Sequence, residues 1–126
     1  MYLDHFRERV VFATGADGQP LERNPIRDQR VRQAMNLALN RAALADRAME
    51  GGAEPMGQFA APGFIGHDPA IPVPPFDPAR ARALLTEAGY PGGFNLTIQC
   101  TNDRFAGDAR TCQAVAQMFT AVGIRT

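Results

Sequence analysis

The chain has 126 residues, enough for one domain with a modest core and too few for two comfortable ones. Its 13 basic residues, every one an arginine, balance 13 acidic ones, so no long-range field favours nucleic acid or an anionic membrane. No apolar run approaches the roughly 18–20 residues that a membrane span needs, and Asp4, Arg7, Glu8 and Arg9 interrupt the opening MYLDHFRERVVF too often for a signal peptide.

Residues 10–14, VVFAT, are a short β-branched run ending at Gly15, which predicts a strand buried on both faces. GADGQPLERNP (15–25) is dense in turn formers and reads as a loop. Asp28 then has the chemistry of an N-cap, its carboxylate accepting from the unpaired amides of a first helical turn. Val31, Met35, Ala38, Ala42, Ala45 and Met49 follow at alternating steps of four and three, one apolar stripe widened by Ala34, Leu37 and Leu44. Asn40 is able to end one helix and cap the next, so two abutting helices are expected, over 28–39 and 41–50.

Residues 51–76 have no periodicity. They are rich in Gly and Pro yet carry Met56, Phe59, Phe64, Ile65, Ile71 and Val73, an apolar content that flexible linkers lack. An ordered loop lying on a neighbour is expected, and that neighbour need not belong to this chain. Asp77, Pro78 and Gly89 then punctuate a helix with Ala81, Leu84, Leu85 and Ala88 on its buried face. FNLTIQC (94–100) alternates without error and predicts a half-buried strand with Phe94, Leu96, Ile98 and Cys100 inward. A polar loop leads to Asp108, read as the cap of a last helix with Cys112, Val115, Phe119 and Val122 on one stripe, and IRT opens a further strand.

The order strand, helix, helix, loop, helix, strand, helix is an α/β pattern with crossover connections. Two strands and a stub make too little sheet to cover four helices, so residues 1–126 are expected to be a single incomplete domain of something larger.

Three stretches carry a resemblance: NPIRDQRVRQAMNLALNRAAL, FDPARARALLTEAGYPGGFNLTIQC and NDRFAGDARTCQAVAQMFTAVGI. In this order and spacing they resemble the extracellular solute-binding proteins of ABC importers of the peptide, dipeptide and nickel type. The resemblance covers roughly residues 10–126 and implies a central piece of the second of two lobes that close over a ligand. It implies a peptide or peptide-like solute and a membrane permease as partners of the whole protein. It also implies a periplasmic location, with the signal peptide outside this chain, and no cofactor. The chain itself is expected to be monomeric. Some bacterial transcription regulators join a DNA-binding domain to the same module, so a cytoplasmic solute sensor is the alternative. A signal peptide or a helix-turn-helix near the parent's start separates the two.

The chemistry of single residues points the same way. Asp103 and Asp108 have no nucleophile and base beside them, and an enzyme is not expected. His5, His67 and the two cysteines lack metal-ligand spacing. The arginines at 27, 30 and 32 have Glu22 and Asp28 close by and read as a solvated helix flank, not a nucleic-acid patch. NLT at 95–97 matches a glycosylation sequon but falls within a predicted strand.

Loops that feed helix N-termini are where α/β proteins commonly bind ligands, and the resemblance places this one in the interlobe cleft. Asn102 is suited to a peptide backbone, Arg104 to a carboxylate, and Phe105, where relatives often have Tyr, to an apolar wall. The alternative is a turn at Asn102 and Asp103 with Arg104 solvated. Cys100 at the strand end and Cys112 one turn into the helix are able to converge on a disulfide across the reversing loop. Two thiols packed as small hydrophobes are the alternative.

Overall fold

The computed structural model describes residues 13–126, so Val10, Val11 and Phe12 of the expected first strand lie outside the described residues, as does His5. Strand β1 (Ala13–Gly15) pairs antiparallel with β2 (Phe94–Leu96), Ala13 opposite Leu96, and β2 pairs parallel with β3 (Ile124–Arg125), Phe94 opposite Ile124. The expected crossover therefore holds for β2 and β3, whereas the antiparallel first pair makes the sheet mixed. Strand β2 is also shorter than the alternation implied. Ile98 is half-buried, and Cys100 is exposed beyond the end of the strand, not inward. Side-chain alternation alone makes no ladder; a strand extends only as far as its partners supply hydrogen bonds.

Helix α1 (Gln29–Leu37) starts as its sequence demands, the Asp28 carboxylate accepting from the N–H of Arg30 at 2.8 Å. Arg30 returns two guanidinium hydrogen bonds to the same carboxylate and reaches the Glu87 carbonyl at 2.5 Å. Chiefly through that Arg30 hydrogen bond, the Asp28 carboxyl is held below its ordinary range. A short 3-10 turn (Pro25–Arg27) precedes the helix, and the Arg32 guanidinium caps its carbonyls at Ile26 and Arg27.

Asn40 separates the two helices, its side chain accepting from the N–H of Ala43 at 3.0 Å. The second helix differs from the single stripe that the spacing predicts. Helix α2 (Arg41–Ala43) passes at once into a π-helical segment (Leu44–Ala48), and the wider winding shifts the phase. Ala48 becomes buried while Ala42 faces solvent. Helix α3 (Pro78–Glu87) follows its punctuation: Asp77 accepts from the N–H of Arg80, and the N–H of Tyr90 returns to the Leu85 carbonyl past Gly89.

The core forms where Val31, Ala34 and Met35 of α1, with Ala38 just past its end, meet Ala81, Leu84 and Leu85 of α3, over Phe94, Leu96 and Ile124 of the sheet. Helix α4 (Asp108–Ala121) adds Phe119, and Val122 follows it. The long 51–76 loop has no regular element and is ordered by its own contacts. Gln58 and the Asp68 backbone exchange two hydrogen bonds, and His67 Nδ1 lies 3.0 Å from the Ala60 carbonyl oxygen. Phe59, Phe64 and Ile65 stand in solvent, exposed by 107%, 72% and 104%.

Two backbones nearly touch at the start of β2. A Cβ on Gly93, whose φ is 71°, would meet the Gly123 carbonyl oxygen at 1.8 Å. Gly89, with φ of 91°, has open space around it. Gly93→Ala is therefore expected to destabilise the chain by about 3 kcal/mol or more, through both clash and strain. Gly89→Ala should cost about 1 kcal/mol, through strain alone. Urea unfolding of both variants checks this; equal losses would refute the close approach.

Candidate functional site

The polar loop between β2 and α4 is built around one carboxylate. Asp108 is the first residue of α4, not its cap; that position belongs to Gly107, with φ of 73°. A Cβ there would meet the Ala48 carbonyl oxygen at 2.8 Å, so glycine lets α4 start hard against the end of the π-helical segment. Released from capping, the Asp108 carboxylate turns back to the loop. It accepts from the N–H groups of Arg104 and Phe105 at 3.1 and 3.3 Å, and from that of Ala109 at 2.8 Å. Desolvation pushes its pKa up, but hydrogen bonds from the Thr101 hydroxyl and from the Phe105, Arg104 and Ala109 amides outweigh it and lower the value.

A second tie is covalent. Cys100 and Cys112 are joined through their sulfurs, with Cα atoms 6.3 Å apart. Cys100 is exposed and Cys112 half-buried. On the first turns of α4, Arg110 pairs with Glu50, and the Thr111 hydroxyl lies 3.3 Å from the Met49 sulfur.

Held in this way, Asn102, Arg104 and Phe105 all face solvent. The Arg104 guanidinium lies over the Phe105 ring, 5.3 Å from its centroid. Among the described residues no carboxylate pairs with that guanidinium, so its charge is open to an incoming anion. Asp103 and Asp108 do not form an acid–base couple, since Asp108 is committed to amides. No three potential metal ligands cluster among the described residues.

A separate groove of about 470 Å³ runs between the π-helical segment and α4. Ala48, Ala114 and Met118 line it, with Arg47 and Gln117 exposed at its edge, and it includes none of the three loop residues. Sequence reasoning missed it because its two walls, at 43–48 and 110–121, lie far apart in the chain. The arginines at 30 and 32 bind carbonyls and Asp28, which makes them structural. Asn95 of the sequon spends its amide on Thr14, Gly15 and Arg125.

Residues 8–126 match the family described as bacterial extracellular solute-binding proteins, family 5 Middle. The glutathione-binding protein GsiB of Salmonella choleraesuis (strain SC-B67) is 36% identical over 101 residues, covering 80% of this chain and 19% of that protein. GsiB of Escherichia coli (strain K12) matches at the same identity and coverage. The chain thus spans about a fifth of the length of these relatives. Among solved structures, the ABC transporter-associated periplasmic binding protein DppA from Helicobacter pylori, in complex with peptide STSA, superposes with a TM-score of 0.73 at 25% identity. That match covers 90% of this chain and 21% of DppA. HbpA2 from Haemophilus parasuis gives 0.76 at 25% identity, over 94% of this chain and 24% of its own.

The lowered pKa of Asp108 has a consequence for stability. The group favours the folded state above the ordinary carboxyl range, near 3.9, and loses that effect as pH falls through its lower folded value. Asp108→Ala should therefore be less stable than the parent at about pH 7, with the gap closing towards about pH 3. Urea unfolding at both pH values checks this; an unchanged gap would show that the carboxylate charge does not hold the loop.

Proposed function

The chain belongs to the bacterial extracellular solute-binding proteins of family 5, and from that premise we propose that it is the middle of the second lobe of a periplasmic protein. That protein captures peptides or peptide-like solutes for an ABC importer. It acts by binding and not by catalysis: two lobes close over the solute, and the closed form docks on the permease. In this reading residues 1–126 form one incomplete domain, and the loop at 102–105 is one wall of the interlobe cleft.

The observation that carries the reading is Arg104, a cation stacked on Phe105 with no carboxylate partner among the described residues. A guanidinium over an aromatic face, beside the amide of Asn102, is fitted to a carboxylate-bearing, peptide-like ligand. The relatives agree in kind: GsiB is a glutathione-binding protein, and the DppA structure holds the peptide STSA. Phe59, Phe64 and Ile65, all exposed on one loop, support the larger assembly, in which another element covers them.

Two measurements test the proposal. Calorimetry of this chain alone against di- to pentapeptides should detect no binding, because one wall does not enclose a ligand; micromolar affinity for a single peptide would sink the partial-lobe reading. In the longer protein, Arg104→Ala should weaken binding of its peptide by about 10- to 100-fold, the worth of a lost charge-assisted hydrogen bond. Unchanged affinity there would return the loop to a plain turn.

A further inference from the structure

We propose that the Cys100–Cys112 disulfide is a thiol-exchange site, at which small soluble thiols such as cysteine-containing peptides add to the Cys100 sulfur. The first ground is unequal access. Exchange requires a thiolate to approach one sulfur along the line of the S–S bond. Cys100 is exposed beyond the end of β2, whereas Cys112 is half-buried on α4. Attack is therefore directed to Cys100.

The leaving group is then Cys112, the fifth residue of a helix of 14 residues. The step balances without an outside oxidant. The incoming thiolate forms a new S–S bond to Cys100, the old bond breaks, and its electron pair leaves on the Cys112 sulfur, which takes a proton from solvent. The small thiol is oxidised to the disulfide level as Cys112 is reduced.

The second ground is what the bond holds. Residues 98–103 take part in no backbone–backbone hydrogen bond among the described residues. Ile98 is also packed against the core. Opening the disulfide frees the strand end at Cys100, while Asp108 keeps its hold on Arg104 and Phe105. A small thiol thus becomes a covalent occupant of the loop and loosens one of its two sides. The exchange needs neither a second lobe nor a bound solute, so it stands or falls separately from the reading above.

The test uses the native chain and reduced glutathione as the probe. After brief incubation the mixture is quenched with iodoacetamide, and both cysteines are mapped by peptide mass spectrometry. Glutathione on Cys100 with an alkylated Cys112 is expected, the reverse arrangement being about tenfold rarer or less. Equal labelling of both cysteines would overturn the proposal. So would an adduct that forms only in urea, or two free thiols in protein taken from an oxidising compartment. Should the adduct itself unfold, as far-UV circular dichroism would reveal, Cys112→Ser treated with oxidised glutathione provides the second measure. Its Cys100 should react about tenfold faster than Cys112 in Cys100→Ser, and comparable rates would refute the directed attack.

Discussion

Everything in this small fold closes on Phe94. Its side chain is fully buried, edge-on to Tyr90 with ring centroids 5.3 Å apart, and it sits on the one strand that pairs with both others. Burying a phenylalanine is worth about 1.5–3 kcal/mol, and here the position requires neighbours on every side. Ile124 lies opposite it in the parallel ladder, and Phe119 and Leu85 share its cluster. The parallel pair comes this close only because Gly93 has no side chain to meet the Gly123 carbonyl. A side chain at Gly93 would push β3, and α4 with it, away from the aromatic ring.

Around that apolar centre, arginine does the work of connection. Arg30 joins the start of α1 to the end of α3, and Arg82 joins α3 to the Ala121 carbonyl at the end of α4. Arg125 ties β3 to Asn95, whose amide reaches across to Thr14 and Gly15 of β1. Arg41 covers the carbonyls at Asn36 and Leu39 where α1 ends, and its desolvation lowers its pKa. The planar, many-donor guanidinium suits this task, since helix ends present several carbonyls that have no partner of their own. A chain that balances its charges overall thus spends much of its cationic chemistry internally.

The candidate site contrasts with this economy. The loop at 101–107 is shaped by a carboxylate and a disulfide, and by little backbone hydrogen bonding, so its form is imposed from its two flanks. It leaves an arginine and an aromatic ring stacked on each other in solvent. The 51–76 loop likewise leaves apolar residues outward while bonding to itself through Gln58, Asp68 and His67. Both surfaces are costly for an isolated domain and ordinary for one that meets further protein or ligand.

Read alone, the sequence was sufficient for what local chemistry decides. Asp28, Asn40 and Asp77 cap the helices that follow them, and Gly89 ends α3, because each supplies or permits a hydrogen bond within a few residues. The α/β class and the family followed from the order of those elements and their motifs. What depended on distant partners was left to the tertiary structure. The extent of β2 was set by how much of β1 and β3 lies beside it, not by its own alternation. The π-helical turn put Ala48 inside and Ala42 outside, where a uniform helical period has the opposite preference. Asp108 looked like a cap by residue type. Gly107, fitted against Ala48 far back in the chain, took that position and turned the carboxylate towards the loop. Capping and periodicity act over one or two turns; strand length, helix phase and the aim of a carboxylate depend on contacts that only folding brings together.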